Sequence, residues 1–77
     1  LATEGRKVEV GQIYRHFTGK EVKILHIAED TEAPGQYFVV FECEGQIWCK
    51  TYGLFLSKVD HNRYPDISQE YCFELVE

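Results

Sequence analysis

The sequence predicts an all-β domain: a small barrel of five to six short strands, with one helical turn. Two observations lead there. Aromatic and β-branched residues gather in short runs, and Gly, Pro, Asp and Thr punctuate them at close spacing. A closed barrel is preferred over an open sheet because so small a sheet would leave long unpaired edges.

Gln12 to Phe17 reads as the first strand and stops at the turn Thr18-Gly19-Lys20. Glu21 to Glu29 follows as a second strand, since Val22, Ile24 and Ile27 disfavour a helix and no N-cap precedes them. Asp30 to Gly35 is a polar loop, and Gln36 to Cys43 is the strongest strand signal in the chain. Glu44-Gly45 is a two-residue turn, and Gln46 to Lys50 returns beside the third strand. Thr51 to Phe55 reads as a helical turn with Leu54 and Phe55 directed inward. Leu56 to Asp60 is expected as a fifth strand, His61 to Gln69 as a loop containing Pro65, and Tyr71 to Val76 as the last strand.

A two-residue turn at Glu44-Gly45 sets the hairpin register: Cys43 faces Gln46, Phe41 faces Trp48, Val40 faces Cys49 and Val39 faces Lys50. Val39, Phe41, Cys43, Trp48 and Lys50 then share one face, while Phe38, Val40, Ile47 and Cys49 share the other. The second face is wholly apolar and is expected to be the core. The first, with its rings beside a cation, is either covered by another segment or left as a contact patch.

The 77 residues carry 8 basic and 13 acidic side chains, a net charge of −5, and both halves of the chain are negative. One domain with one thin core is expected over residues 8–77, behind a poorly ordered leader at residues 1–7. The acidic balance argues against nucleic acid, whose phosphates require concentrated Lys and Arg. Neither a membrane span nor a signal peptide is visible, the longest apolar run being Tyr37 to Phe41. Three cysteines, Cys43, Cys49 and Cys72, form no CxxC pair. That pattern describes neither a disulfide framework nor a closed zinc site, and free thiols in a reducing cytoplasm are the expectation. No metal and no cofactor are expected.

The run Tyr14-Arg15-His16-Phe17-Thr18-Gly19 carries a resemblance. So do the Val22 to Ala28 strand, Thr31-Glu32, Trp48 near Lys50, and Phe55. Val59-Asp60-His61, Tyr64-Pro65-Asp66, Tyr71 and Phe73 complete it. Together they resemble a small bacterial family catalogued only as a domain of unknown function. That family is built around a YRH-aromatic-Lys-Gly opening and an Arg-Pro-x-x-Met-Phe segment. The resemblance implies a compact β fold of the Src-homology-3-like barrel kind, with no established activity. This chain departs from the pattern at Lys50-Thr51, in place of Arg-Pro, and at Leu54, in place of Met. Lys keeps the charge but loses the planar fork that grips a carboxylate.

The candidate ligand-binding residues are Tyr14, Arg15, His16, Trp48, Lys50 and Tyr52. Trp48, Tyr14 and Tyr52 would floor a groove, with Arg15, His16 and Lys50 supplying polar and cationic contacts. Four have a plainer reading: His16 as a satisfied structural histidine, Arg15 in a surface ion pair, Trp48 as a core slab, Tyr52 as edge cover. Enzymatic readings lack support. Cys49 is expected on the core face, Cys43 lies between Glu42 and Glu44, and no glycine-rich phosphate loop is present. The expected function is a non-catalytic binding module for a peptide or protein segment. A single-stranded nucleic-acid binder or a self-associating accessory domain are the alternatives.

Overall fold

A computed structural model describes residues 7–77. The expected leader falls mostly outside the described residues, and the ordered core begins with the buried Val8. Five strands and one helical turn follow: β1 (Ile13–His16), β2 (Glu21–Glu29), β3 (Tyr37–Cys43), β4 (Gln46–Thr51), α1 (Tyr52–Phe55) and β5 (Phe73–Leu75). β2 has the expected bounds, and β3 and β4 match to within one residue at one end. All ladders are antiparallel, in the order β4-β3-β2-β1-β5.

The hairpin register is the expected one, from Cys43↔Gln46 to Val39↔Lys50. Glu44 and Gly45 adopt φ of 53° and 79°, the left-handed pair of a type I′ turn, whose twist matches that of the flanking strands. The choice of core face is reversed. Val39 and Phe41 are buried, whereas Ile47 is 65% exposed and Cys49 lies at the surface. β2 makes this choice. Its Glu21 and Lys23 must face water, so Val22 and Ile24 turn inward, and the pairing Ile24↔Phe41 carries Phe41 to the same side. An irregularity between Ile24 and His26 inserts Leu25 as an unpaired residue. Without it His26 would follow Ile24 into the core. With it His26 is exposed, and Ile27 packs against the buried cluster opposite Val39.

The expected closure into a barrel does not occur. β4 and β5 stand at the two ends of the strand order, with no ladder between them. The sheet is nonetheless strongly curled. Flat strands at about 4.8 Å spacing would hold β3 and β5 about 14 Å apart. The rings of Phe41 on β3 and Phe73 on β5 meet at 5.8 Å. The chain leaves β4, makes the turn α1 and crosses the inner face to reach β5, burying Phe55, Leu56 and Val59 on the way. This crossing segment fills the gap that a further ladder would have closed. The strand expected over Leu56 to Asp60 shrinks to a single bridge, Lys58↔Tyr71. Backbone bonds from Cys72 to Ser57 (3.0 Å) and from Val59 to Glu70 (2.9 Å) flank it. The last strand is likewise shorter than expected.

Only one of the two residues expected to turn inward from α1 does so. Phe55 is fully buried, stacked on Phe73 at 4.2 Å and 11°, with Tyr14 edge-on at 5.2 Å. Leu54 is 59% exposed, because one helical turn cannot direct adjacent side chains to one side. Among the described residues no helix is long and apolar enough to cross a membrane.

Removing the Phe55 ring should lower the unfolding free energy by about 3–5 kcal/mol, most of what a domain this size possesses. Leu54→Ala should change it by less than about 0.5 kcal/mol. Urea denaturation of both variants checks the assignment; equal effects would contradict it.

Candidate functional site

In an antiparallel meander, alternate turns lie at the same end of the sheet. The β1–β2 turn and the β3–β4 turn therefore sit side by side, and the ion pair Lys20 Nζ–Glu44 Oε1 (3.0 Å) spans them. The crossing segment contributes no residue to the inner face between these two turns. What remains is an open groove of about 540 Å³, lined by His16, Thr18, Lys20, Val22, Phe41, Cys43, Glu44, Gln46, Trp48 and Phe73. That volume falls in the range of small-molecule and side-chain pockets. Its floor is the margin of the hydrophobic core, namely Val22, Phe41 and Phe73, reached from solvent.

Trp48 forms one rim. It shares the inner face with Phe41, its cross-strand partner, yet is 49% exposed: β4 is an edge strand, and among the described residues none is paired on its outer side. Both alternatives for the first hairpin face are thus realised, on different strands: Val39 and Phe41 are covered, and Trp48 is not. Lys50, next on the same side of β4, is exposed.

His16 forms the opposite rim. It pairs with Phe73 across β1 and β5, and its ring contacts Phe73 at 4.8 Å and Phe17 at 4.3 Å. The backbone N–H of Thr18 points at His16 Nδ1 at 3.3 Å, and the Thr18 hydroxyl lies 2.8 Å from the same atom. A backbone N–H can only donate, so Nδ1 accepts and Nε2 carries the proton of the neutral ring. Burial lowers the His16 pKa from its ordinary value, and the positive charges of Lys50 and Lys20 lower it further. Lys20 is shifted upward by its hydrogen bond and charge interaction with Glu44.

The other sequence candidates lie elsewhere. Tyr14 does not floor the groove; it is buried against Phe55, and its hydroxyl donates to Gln12 Oε1 at 3.0 Å. Tyr52 is half-buried on the far side of the core, where its hydroxyl accepts the Val8 N–H at 2.9 Å. Arg15 points to the outer face and pairs with Glu21 at 3.1 Å, both side chains about half exposed, a pair that contributes little. The structure therefore gathers His16 and Trp48, with Lys50 adjoining, and separates Tyr14, Arg15 and Tyr52 from them.

Thr18, Lys20, Cys43, Glu44 and Gln46 were absent from the sequence candidates. The signal that identifies them is topological, since the turns at 18–20 and 44–45 must share one end of a meander. Gln69 was missed as well. Its side-chain amide donates to the carbonyls of Arg15 (3.0 Å), Tyr71 (2.8 Å) and Cys72 (3.3 Å), tying the 60s loop to β1. Phe17 meets Tyr64 of that loop at 5.0 Å, so the Tyr-Arg-His-Phe and Tyr-Pro-Asp runs come together behind the groove.

The sequence profile of a family described as "Protein of unknown function (DUF1653)" matches residues 12–69. No curated protein and no solved structure matches the chain.

The depressed His16 pKa has a definite sign in stability. The unfolded chain takes up the proton first, so the contribution is present above the ordinary value of 6.5 and is lost as pH falls through the folded value. NMR titration of the imidazole should place His16 below 6.5, Lys50→Gln should move it upward, and His16→Gln should flatten the loss of stability on acidification. A His16 value at or above 6.5 would contradict the described environment.

Proposed function

The chain belongs to the DUF1653 family, and on that premise we propose that it is a non-catalytic binding module that docks a peptide or protein segment in the groove. The observation that carries this reading is Trp48, half exposed over an apolar floor that the fold leaves uncovered. Half-exposed aromatic side chains beside an apolar recess are the usual anchors of protein contacts. His16, Lys20 and Gln46 add polar groups to the rim, which would orient what the rings hold.

The groove chemistry supports binding rather than catalysis. Cys43 and His16 both line the recess, but the Nδ1 lone pair of His16 is already engaged by the Thr18 amide and hydroxyl. A thiol–imidazole nucleophile needs a base with a free lone pair in reach and a third group orienting it. The three cysteines are free thiols, and Cys43 and Cys49 point to opposite faces of their hairpin. That supports a reducing, cytoplasmic setting.

Trp48 is the only tryptophan in the chain, so its fluorescence reports on the groove directly. Peptides selected from a displayed library on the immobilised domain should shift its emission. Measured by calorimetry, Trp48→Ala should weaken them about tenfold or more, the scale of a central aromatic anchor. Ile47→Ala, on the opposite face, should change affinity less than about twofold. Selected peptides that leave Trp48 emission unchanged and tolerate its removal would refute the proposal.

A further inference from the structure

Among the described residues, β4 combines two properties that no other strand has together: an unpaired edge, and side chains exposed on both faces along nearly its whole length. The type I′ turn at Glu44-Gly45 makes Cys43–Gln46 the closing hydrogen-bonded pair of the hairpin. Hydrogen bonding then alternates along β4. Gln46, Trp48 and Lys50 direct their backbone N–H and C=O groups at β3, whereas Ile47 and Cys49 direct theirs at the empty edge. Edges of this length are ordinarily blunted by proline, by a bulge, by charged side chains or by a covering segment, and among the described residues Lys50 is the only such device on β4.

The curl of the sheet gives this edge a direction. Because the sheet bends toward its inner face, a strand added beyond β4 would continue that bend and lie over the mouth of the groove. Its alternate side chains would point in beside Gln46, Trp48 and Lys50. Charge selects among occupants. Among the described residues Lys50 has no ion-pair partner, while Glu44, the one carboxylate lining the groove, is already held by Lys20. In a chain of net charge −5, this inner side of β4 therefore presents an uncompensated cation beside an aromatic ring.

We infer that β4 is a strand-accepting edge: an extended peptide pairs with the backbone of Ile47 and Cys49 and roofs the groove. The peptide carries an acidic residue beside Lys50 and, two positions away on the same face, a large apolar residue beside Trp48. This deepens the binding reading and rests on it. Main-chain bonds supply sequence-tolerant affinity, and the two inward side chains supply the selection.

The test uses short capped peptides containing Glu-Thr-Phe, with Lys-Thr-Phe and Glu-Thr-Ser as controls, titrated against the protein and its variants by isothermal titration calorimetry, with Trp48 emission as a second readout where Trp48 is present. Glu-Thr-Phe should bind about tenfold more tightly than either control, the scale of one lost charge-assisted or aromatic contact. Lys50→Glu should reverse the preference to Lys-Thr-Phe. N-methylating the peptide amides that face β4 should abolish binding, whereas N-methylating the alternate set should not. Ile47→Pro should act like the first set, since it removes an outward N–H and spares the ladder to β3. The peptide modification keeps the test decisive should that variant unfold.

Binding indifferent to both N-methyl sets but still dependent on Trp48 overturns strand addition and leaves the groove reading standing. Binding sensitive to N-methylation but indifferent to Trp48→Ala overturns the groove reading along with this one. A dimer in sedimentation analysis that Ile47→Pro dissociates assigns the edge to a second copy of the chain and overturns the peptide occupant.

Discussion

Phe55 lies flat on Phe73, 4.2 Å away, and this contact joins the two ends of the strand order from the inside. Phe55 enters from the end of β4 and Phe73 belongs to β5, the opposite edge strand. Tyr14 meets Phe55 edge-on, and Phe41 packs on both phenylalanines, at 5.7 Å and 5.8 Å. Four rings thus hold a five-stranded sheet in a curl that its backbone hydrogen bonds alone do not impose. These four rings belong to one buried cluster that also holds Val8, Val22, Ile24, Val39 and Leu56.

The groove is a consequence of the same arrangement. One short helical turn and the segment behind it cover only part of the inner face, and none of their residues lines the groove. There the floor of the core stays open between the two tight turns. The site is therefore no separate device added to a finished fold; it is the uncovered end of the core. His16 belongs to both. One side of its ring packs on Phe73, while Thr18 holds its Nδ1 and the rest of the ring lines the recess.

Much of the local structure was legible in the residues. The alternation of Glu21, Val22, Lys23 and Ile24 marks a strand with one wet face. Glu44-Gly45 is a hairpin signal weaker than Asn-Gly, because Glu tolerates positive φ poorly, and read as a two-residue turn it gives every pair along the hairpin. The face assignment was misread because the hairpin was judged alone. Phe38, Val40 and Ile47 look like the better core until β2, with Lys23 opposite Glu42 and Ile24 opposite Phe41, fixes which side is inside. The extra residue Leu25 left no mark in the pattern, because Leu25-His26-Ile27 reads as a strand in either register. Trp48 and His16 were found as candidates from residue type and position. Tyr14 and Tyr52 were assigned to the same groove on the same grounds, but each spends its ring on the core and its hydroxyl on Gln12 or Val8.

By itself, then, the order of residues determined the first four strands, the turns between them and the hairpin register, because each depends on interactions between neighbours along the chain or across one turn. Tertiary structure alone decided that the sheet curls without closing, that Phe55 rather than Leu54 turns inward, and that Trp48 overhangs an uncovered end of the core. Those outcomes depend on rings brought together from positions 14, 41, 55 and 73. Contacts between residues so far apart leave no periodic trace in the chain that makes them.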